Sequence, residues 1–125
     1  MKVPFTLALM LLVLTQPLHS AETKPAAGSF ALFWTQFKAA VANKDKEATA
    51  GMTKFPFNYG ERMNREDFMK QFDVIFNAKV RKCFQEAKPM KDTNRESYTV
   101  ICGEDVFTFT KDSSGYRLTD VDMND

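Results

Sequence analysis

A chain of 125 residues with 17 basic and 16 acidic side chains has room for one domain with one hydrophobic core. So small a net charge argues against the bulk electrostatic attraction by which proteins bind nucleic acid or an anionic membrane surface. We therefore expect neither a nucleic-acid partner nor a membrane partner.

The first twenty-one residues have the pattern of a secretory signal peptide. Lys2 supplies a positive start, Val3–Leu14 is an apolar run, and Thr15–Pro17 interrupts it before small residues close the segment. The apolar run is too short to span a membrane as a helix. We predict that residues 1–21 are cleaved, that residues 22–28 form a flexible lead-in, and that the protein is periplasmic or secreted.

Cleavage after either Ser20 or Ala21 changes the chemistry that remains. His19, the only histidine in the chain, leaves with the signal peptide. Two cysteines without a histidine cannot complete the usual zinc ligand set, and no imidazole remains to activate a cysteine nucleophile. We therefore expect no metal site, no cofactor and no catalytic residue.

The two cysteines, Cys83 and Cys102, both remain after cleavage. An even count in an oxidising compartment favours a disulfide. The loop of about twenty residues that it closes would contribute on the order of 3 kcal/mol to stability. A pair of buried free thiols is the alternative, and we predict the disulfide.

Helical patterns dominate the start of the mature chain. Ser29 can cap a long helix over Phe30–Ala42, whose apolar residues recur at three- and four-residue spacings. Asp45 can cap a second, shorter helix that ends near Met52. The first of these helices carries the strongest periodicity in the sequence.

A short strand and a third helix follow. Phe55–Tyr59 alternates between apolar and other residues, and Pro56 restricts it to an edge strand or an extended connection. Gly60–Arg62 reads as a turn. Asn64 caps the third helix, and Asn77 ends it; its apolar face holds Phe68, Phe72, Ile75 and Phe76.

The remaining sequence is rich in strand-forming residues. We predict a strand at Val80–Ala87 and a long strand at Glu96–Thr110, joined by the connection Lys88–Arg95. The alternation of the long strand changes phase at Gly103–Asp105, which indicates a β-bulge or a bend in the strand. A hairpin loop at residues 111–115 leads to a returning strand at 116–121 and an acidic tail. Cys83 and Cys102 then lie on neighbouring strands.

This order predicts an α+β fold, with a cone-like curved antiparallel sheet packed on the long N-terminal helix and two further short helices. Together with three local passages, it resembles the nuclear transport factor 2-like superfamily, a cone-shaped, cystatin-like α+β fold that includes small secreted bacterial proteins. The passages are Phe33–Val41, Met52–Phe57, and Cys102–Glu104 with Gly115–Leu118. The resemblance implies one domain over residues 29–125. It also implies a pocket between sheet and helices that holds small apolar molecules in some members and is filled in others.

Seven residues are candidates for lining such a pocket: Trp34, Phe37, Phe57, Tyr59, Phe72, Tyr98 and Glu104. The structural alternative is that the aromatic residues only fill the hydrophobic core. Glu104 and Asp105 form a carboxylate pair from which one member could serve as a general base. Adjacent strand residues point to opposite faces, so at most one of them faces the pocket. No passage matches the catalytic residues of the isomerases in this superfamily.

The sequence therefore predicts a non-enzymatic binding or interaction module. It would hold a small apolar ligand, bind a protein partner, or form a homodimer through the sheet. Two alternatives remain at this point: a small isomerase or hydratase that uses a carboxylate and a tyrosine, and a protein inhibitor or immunity factor.

Overall fold

The computed structural model describes residues 28–123. The predicted signal peptide, residues 22–27 of the lead-in, and the last two residues of the acidic tail lie outside these described residues. Within the described part of the chain, five helices and six strands form a mixed α+β fold with a curved sheet that does not close on itself.

Asparagine, aspartate and serine side chains cap four of the five helices. Ser29, Asp45, Asn64 and Asn77 each accept a hydrogen bond from a backbone N–H three residues later, which satisfies one free donor of the first turn. The helices are α1 (Phe30–Ala42), α2 (Lys46–Gly51), α3 (Arg65–Lys70), α4 (Phe72–Ile75) and α5 (Ala78–Glu86). The predicted caps Asp45 and Asn64 are confirmed.

The predicted third helix is interrupted. Gln71 is the C-cap of α3 and also the N-cap of α4, so two short helices occupy the place of the one that was predicted. Phe68 from α3 and Phe72 from α4 are both fully buried. The apolar pattern was therefore informative about burial but not about the break.

The strand predicted at Val80–Ala87 is wrong, because this segment is helix α5. Val80 and Phe84 are its buried residues, and their spacing of four places them on one helical face. Asn77 begins this helix instead of only ending the previous one. Cys83 consequently lies on a helix, and the predicted disulfide with Cys102 joins α5 to a strand.

The sheet has the strand order β2-β1-β6-β5-β4-β3. Its strands are β1 (Thr53–Tyr59), β2 (Glu61–Met63), β3 (Met90–Lys91), β4 (Ser97–Cys102), β5 (Asp105–Asp112) and β6 (Gly115–Met123). The prediction of an antiparallel sheet is wrong for one pair, since β1 and β6 run parallel. The other neighbours are antiparallel.

Strand β1 is interior, and its predicted edge position is wrong. It pairs with β2 on one side and β6 on the other. Pro56 is tolerated because pairing with β6 is interrupted between Thr53 and Asn58, and pairing with β2 begins only at Phe57. Of the turn predicted at Gly60–Arg62, only Gly60 is a turn residue, with a φ of 67°. The next two residues belong to β2. Strand β3 lies in the predicted Lys88–Arg95 connection.

The predicted bulge at Gly103–Asp105 is a hairpin turn. Cys102 pairs with Asp105, so the predicted long strand is two strands, β4 and β5. Gly103 has a φ of 63°, the conformation that a glycine at the first turn position adopts readily. A bulge does occur, but in β6: Thr108 pairs with Asp120 and Phe109 with Leu118, which leaves Thr119 as the extra residue.

The core lies between the inner face of the sheet, defined as the face toward α1, and the helices. Phe57, Phe107, Phe109 and Leu118 from the sheet are fully buried there. Phe109 packs edge-on against Phe37 of α1, with 5.1 Å between ring centroids. The opposite, outer face of the sheet carries no helix in the described residues.

Candidate functional site

Four of the seven predicted pocket residues lie in the hydrophobic core. Phe37, Phe57 and Phe72 have no exposed surface, and Trp34 is 6% exposed. Each of them has at least one aromatic neighbour, at ring-centroid distances of 5.0–6.4 Å. These side chains fill the interior in the described structure.

The other three predicted residues lie on different elements. Tyr59 ends β1, where it pairs with Val121 of β6, and Tyr98 lies near the start of β4, stacked on Phe30 with 3.8 Å between ring centroids. Glu104 is exposed in the β4–β5 turn. The structure therefore does not bring the seven residues together.

Trp34 has one polar atom, and it is buried. Its indole Nε1 has no hydrogen-bond partner among the described residues. The rings of Phe84 and Phe109 lie 5.2 and 5.5 Å from the indole, measured between centroids. An aromatic ring face is a weak acceptor for such an N–H, so the position of Trp34 is that of a core residue.

Two tyrosines have shifted ionisation. Burial raises the pKa of Tyr59, and the negative charge of Asp105 raises it further. Burial also raises the pKa of Tyr116; the hydrogen bond that its hydroxyl donates to Glu96, at 3.1 Å, and the charges of Glu96 and Tyr98 add to this. Both phenols stay protonated at neutral pH, as donors.

The Tyr116–Glu96 hydrogen bond gives a testable pH dependence. We expect Glu96→Gln to lower the pKa of Tyr116 toward the ordinary tyrosine value of about 10, since the carboxylate no longer opposes ionisation. Because the folded-state pKa is raised, its contribution to stability is present below the unfolded value and is lost as pH rises through the folded value. Titration of the Tyr116 Cζ resonance by NMR measures the shift. Glu104→Gln is the control, and an equal response to both variants would contradict the assignment.

The outer face of the sheet carries one continuous row of paired residues. Strand pairing places six residues side by side across all six strands: Arg62, Asn58, Asp120, Thr108, Thr99 and Met90. We call this set the outer row. It changes across the sheet from a cation through polar side chains to Met90, which is 53% exposed.

The bulge in β6 gives the outer row its carboxylate. The residues on either side, Leu118 and Val121, are buried, so Thr119 and Asp120 both project outward. The Asn58 amide donates to Asp120 Oδ1 at 2.7 Å, and the Thr119 hydroxyl donates to the carbonyl of Thr108 at 3.1 Å. Two hydrogen bonds thus hold the centre of the row.

A shallow groove of about 330 Å³ lies on one half of the outer face, lined by Lys54, Pro56, Asn58, Arg62, Thr110, Thr119 and Asp120. The other half carries exposed apolar side chains, Met90 and Ile101, at 53% and 45% exposure. Polar and apolar halves therefore share one surface. An exposed apolar surface rimmed by polar residues is typical of an interaction site.

The outer row was not predicted from the sequence. One signal was present in the sequence. Leu118 and Val121 are successive apolar residues of β6, and their spacing of three breaks strict alternation. That spacing indicates a bulge between them. The pairing of Asn58 with Asp120 has no comparable signal, because it depends on the parallel β1–β6 contact.

Other grooves are more polar or smaller. One of about 630 Å³ lies beside β2 and is lined by residues of both charges, including Glu61, Arg62, Asp67 and Lys70. An apolar notch of about 190 Å³ adjoins Tyr59 and Met123. Among residues 28–123, no group of three or more histidine, cysteine, aspartate or glutamate side chains is placed to hold a metal ion.

Comparison of the chain with protein-family models finds no match, and comparisons with curated proteins and with solved structures find none either. In residues 28–123, no helix has the length and apolar content needed to cross a membrane.

Proposed function

We propose that this protein is a periplasmic or secreted, non-enzymatic interaction module that binds another protein through the outer face of its sheet. The observation that carries the proposal is the contrast between the two faces. The space between the inner face and the helices is filled by aromatic side chains, including the predicted pocket residues Phe37 and Phe57. The outer face presents the outer row and two exposed apolar side chains without a covering helix in the described residues.

The disulfide supports the extracytoplasmic part of the proposal. The Cys83 and Cys102 sulfurs are bonded, with Cα atoms 5.8 Å apart. Such bonds persist in oxidising compartments and are rare in reducing ones. Together with the signal-like sequence at residues 1–21, the disulfide favours the periplasm or the exterior.

The fold supports the resemblance to the nuclear transport factor 2-like superfamily, which we also propose. Its curved six-stranded sheet lies against α1, as that resemblance implies. Because fold alone does not fix function, the choice among its members' roles rests on the filled interior and not on the family. That interior favours an interface over the ligand pocket.

Site-specific photo-crosslinking tests the proposal. A benzophenone amino acid replaces Thr99, on the outer row, in the full chain expressed in its own host, and covalent adducts are identified by mass spectrometry after irradiation. The matched control is the same substitution at Val74, which is 57% exposed on α4. We expect protein adducts several-fold more abundant from Thr99 than from Val74.

Two results would overturn the proposal. Equal adducts at both positions would mean that exposure, not the outer face, determines crosslinking. A small apolar molecule retained in native mass spectrometry, with no protein adduct at Thr99, would favour the ligand-binding alternative. For the alternative of a carboxylate enzyme, Glu104 is exposed in a turn and offers no support. The half-buried Asp105, whose charge raises the pKa of Tyr59, is the carboxylate that this alternative would have to use.

A further inference from the structure

We propose that the Cys83–Cys102 disulfide is a site of thiol–disulfide exchange, and that a dithiol oxidoreductase of the periplasm or exterior attacks it at the Cys83 sulfur. The bond joins α5 to the end of β4, on the helical side of the sheet. It therefore lies apart from the outer face, and exchange there is an interaction additional to the protein binding proposed above.

Access to the two cysteines is unequal. Cys83 is half-buried on α5, whereas Cys102 is only 7% exposed and belongs to the hydrophobic core. A thiolate breaks a disulfide by direct approach to one of its two sulfurs, so the sulfur that is attacked must be reachable from outside. Cys83 is the residue that an external nucleophile can reach.

A groove of about 530 Å³ leads to the bond. Both cysteines line it, together with Asn77, Lys79 and Val80 on the α5 side and residues 103–105 at the β4–β5 turn. Its volume is within the range of pockets that hold small ligands, so the groove can admit a cysteine side chain and the residues beside it. The disulfide thus forms part of a groove wall and is not sealed inside the core.

Charge in the groove favours attack at the same sulfur. Lys79 and Cys83 are four positions apart on α5, so they lie on one face of that helix. Glu104 and Asp105 line the same groove and follow Cys102 closely in the chain. The attacking group is a thiolate anion, which Lys79 attracts and the two carboxylates repel. Access and charge therefore both select Cys83.

The exchange consists of two substitutions at sulfur. In the first, a thiolate of the oxidoreductase bonds to the Cys83 sulfur, and the Cys102 sulfur leaves with the electron pair of the old bond and takes a proton from water. In the second, the other thiol of the oxidoreductase loses its proton to solvent and attacks its own bonded sulfur, which releases Cys83 as a thiolate that is then protonated. Two electrons pass to this protein, and the oxidoreductase leaves as a disulfide. The reverse sequence forms the Cys83–Cys102 bond.

Exchange changes what holds α5 in place. β3 pairs with β4 only at Tyr98 and Thr99, and beyond them the Cys83 sulfur lies 3.5 Å from the carbonyl oxygen of Ile101. After reduction, α5 is held to the core by its buried residues, Val80 and Phe84. We expect amide hydrogen exchange to become faster in α5 than in α1, because local opening of one segment needs less free energy than global unfolding. The bond therefore controls how tightly α5 covers the end of β4.

Mixed-disulfide trapping tests the proposal. The purified, disulfide-bonded protein is mixed with a C-x-x-C oxidoreductase whose second cysteine is replaced by serine, so that exchange stops after the first substitution. The reaction is quenched with acid, free thiols are alkylated, and the product is digested with trypsin without reduction. Arg95 lies between the two cysteines, so they fall in separate peptides. We expect the oxidoreductase on Cys83 in at least about tenfold excess over Cys102.

Two lysine variants test the role of the groove. Lys79→Gln removes the cation on the Cys83 face and should lower the second-order rate constant of adduct formation about threefold or more at low salt. Lys91→Gln makes the same change of charge on β3, where the side chain is exposed outside the groove, and should change the rate constant by less than about twofold. Circular dichroism checks that both variants fold. Equal slowing by the two variants would overturn the groove as the site of approach.

Urea separates attack on the folded protein from attack on the unfolded chain. The rate constant should stay nearly constant at urea concentrations well below the unfolding midpoint, whereas exchange that requires global unfolding rises exponentially from zero urea. Such a rise would overturn the proposal and leave the disulfide as a structural crosslink alone. An adduct found mainly on Cys102, or no adduct with the folded protein, would overturn it as well.

Discussion

Phe37→Ala should lower the free energy of unfolding by about 3–5 kcal/mol, the largest effect that we expect from any single core substitution. Phe37 has no exposed surface, and its ring contacts those of Phe33, Trp34, Phe76, Phe84 and Phe109 at centroid distances of 5.1–6.4 Å. Truncation loses the burial of the ring and leaves a cavity that these rigid neighbours cannot close. Urea unfolding followed by circular dichroism measures the change.

Two further variants separate cavity formation from other effects. Phe37→Leu keeps most of the volume and should cost clearly less than Phe37→Ala. Val74→Ala removes an apolar side chain that is 57% exposed, and such surface changes typically stay within about 0.5 kcal/mol. If Phe37→Ala cost as little as Val74→Ala, the interior would have to be an open pocket rather than a filled core.

Replacement of both cysteines, by Cys83→Ser with Cys102→Ser, should lower the free energy of unfolding by about 3 kcal/mol. The two residues are separated by 19 positions, and the crosslink restricts the unfolded chain over that span. The bond also ties α5 to β4 at the end of the sheet. Urea unfolding of the oxidised protein and of the double variant measures the loss.

Reduction of the unmodified protein provides the matched measurement. Its midpoint in urea should move to that of the double variant, and alkylation should then add two groups to its mass. Before reduction, no thiol should be alkylated under denaturing conditions. Identical midpoints for the oxidised and reduced protein would mean that the disulfide contributes nothing to stability.

Local signals in the sequence predicted the features that depend on neighbouring residues. The caps Asp45 and Asn64 were predictable because an aspartate or asparagine side chain reaches the backbone only three residues away. The Cys83–Cys102 bond was predictable because only one pairing exists for two cysteines. The mixed α+β class followed from the change of apolar period along the chain.

Features that depend on the tertiary structure were not predictable in the same way. Helix α5 is an exception, because the apolar residues of Val80–Ala87 recur at spacings of three, one and three, which is the helical pattern, and the predicted strand misread that period. The interior position of β1 depends on its parallel pairing with β6, some sixty residues away. The spacing of apolar residues predicts whether a segment is a helix or a strand, but it does not predict which elements pack against each other.

The candidate site was missed for the same reason. Six of the seven predicted pocket residues were selected because they are aromatic. In this structure, aromatic side chains form most of the buried core. The outer row consists of short and polar side chains that are unremarkable one at a time. Its coherence comes from the register of five strand pairs, which no local pattern specifies.

The bulge at Thr119 gives β6 an additional outward side chain. Loss of one residue between Leu118 and Val121 would restore strict alternation while both apolar residues still faced the core. Only one of Thr119 and Asp120 would then remain on the outer face. A chain without the bulge could therefore keep the core of this sheet, and it would lose either the Asn58–Asp120 or the Thr119–Thr108 hydrogen bond.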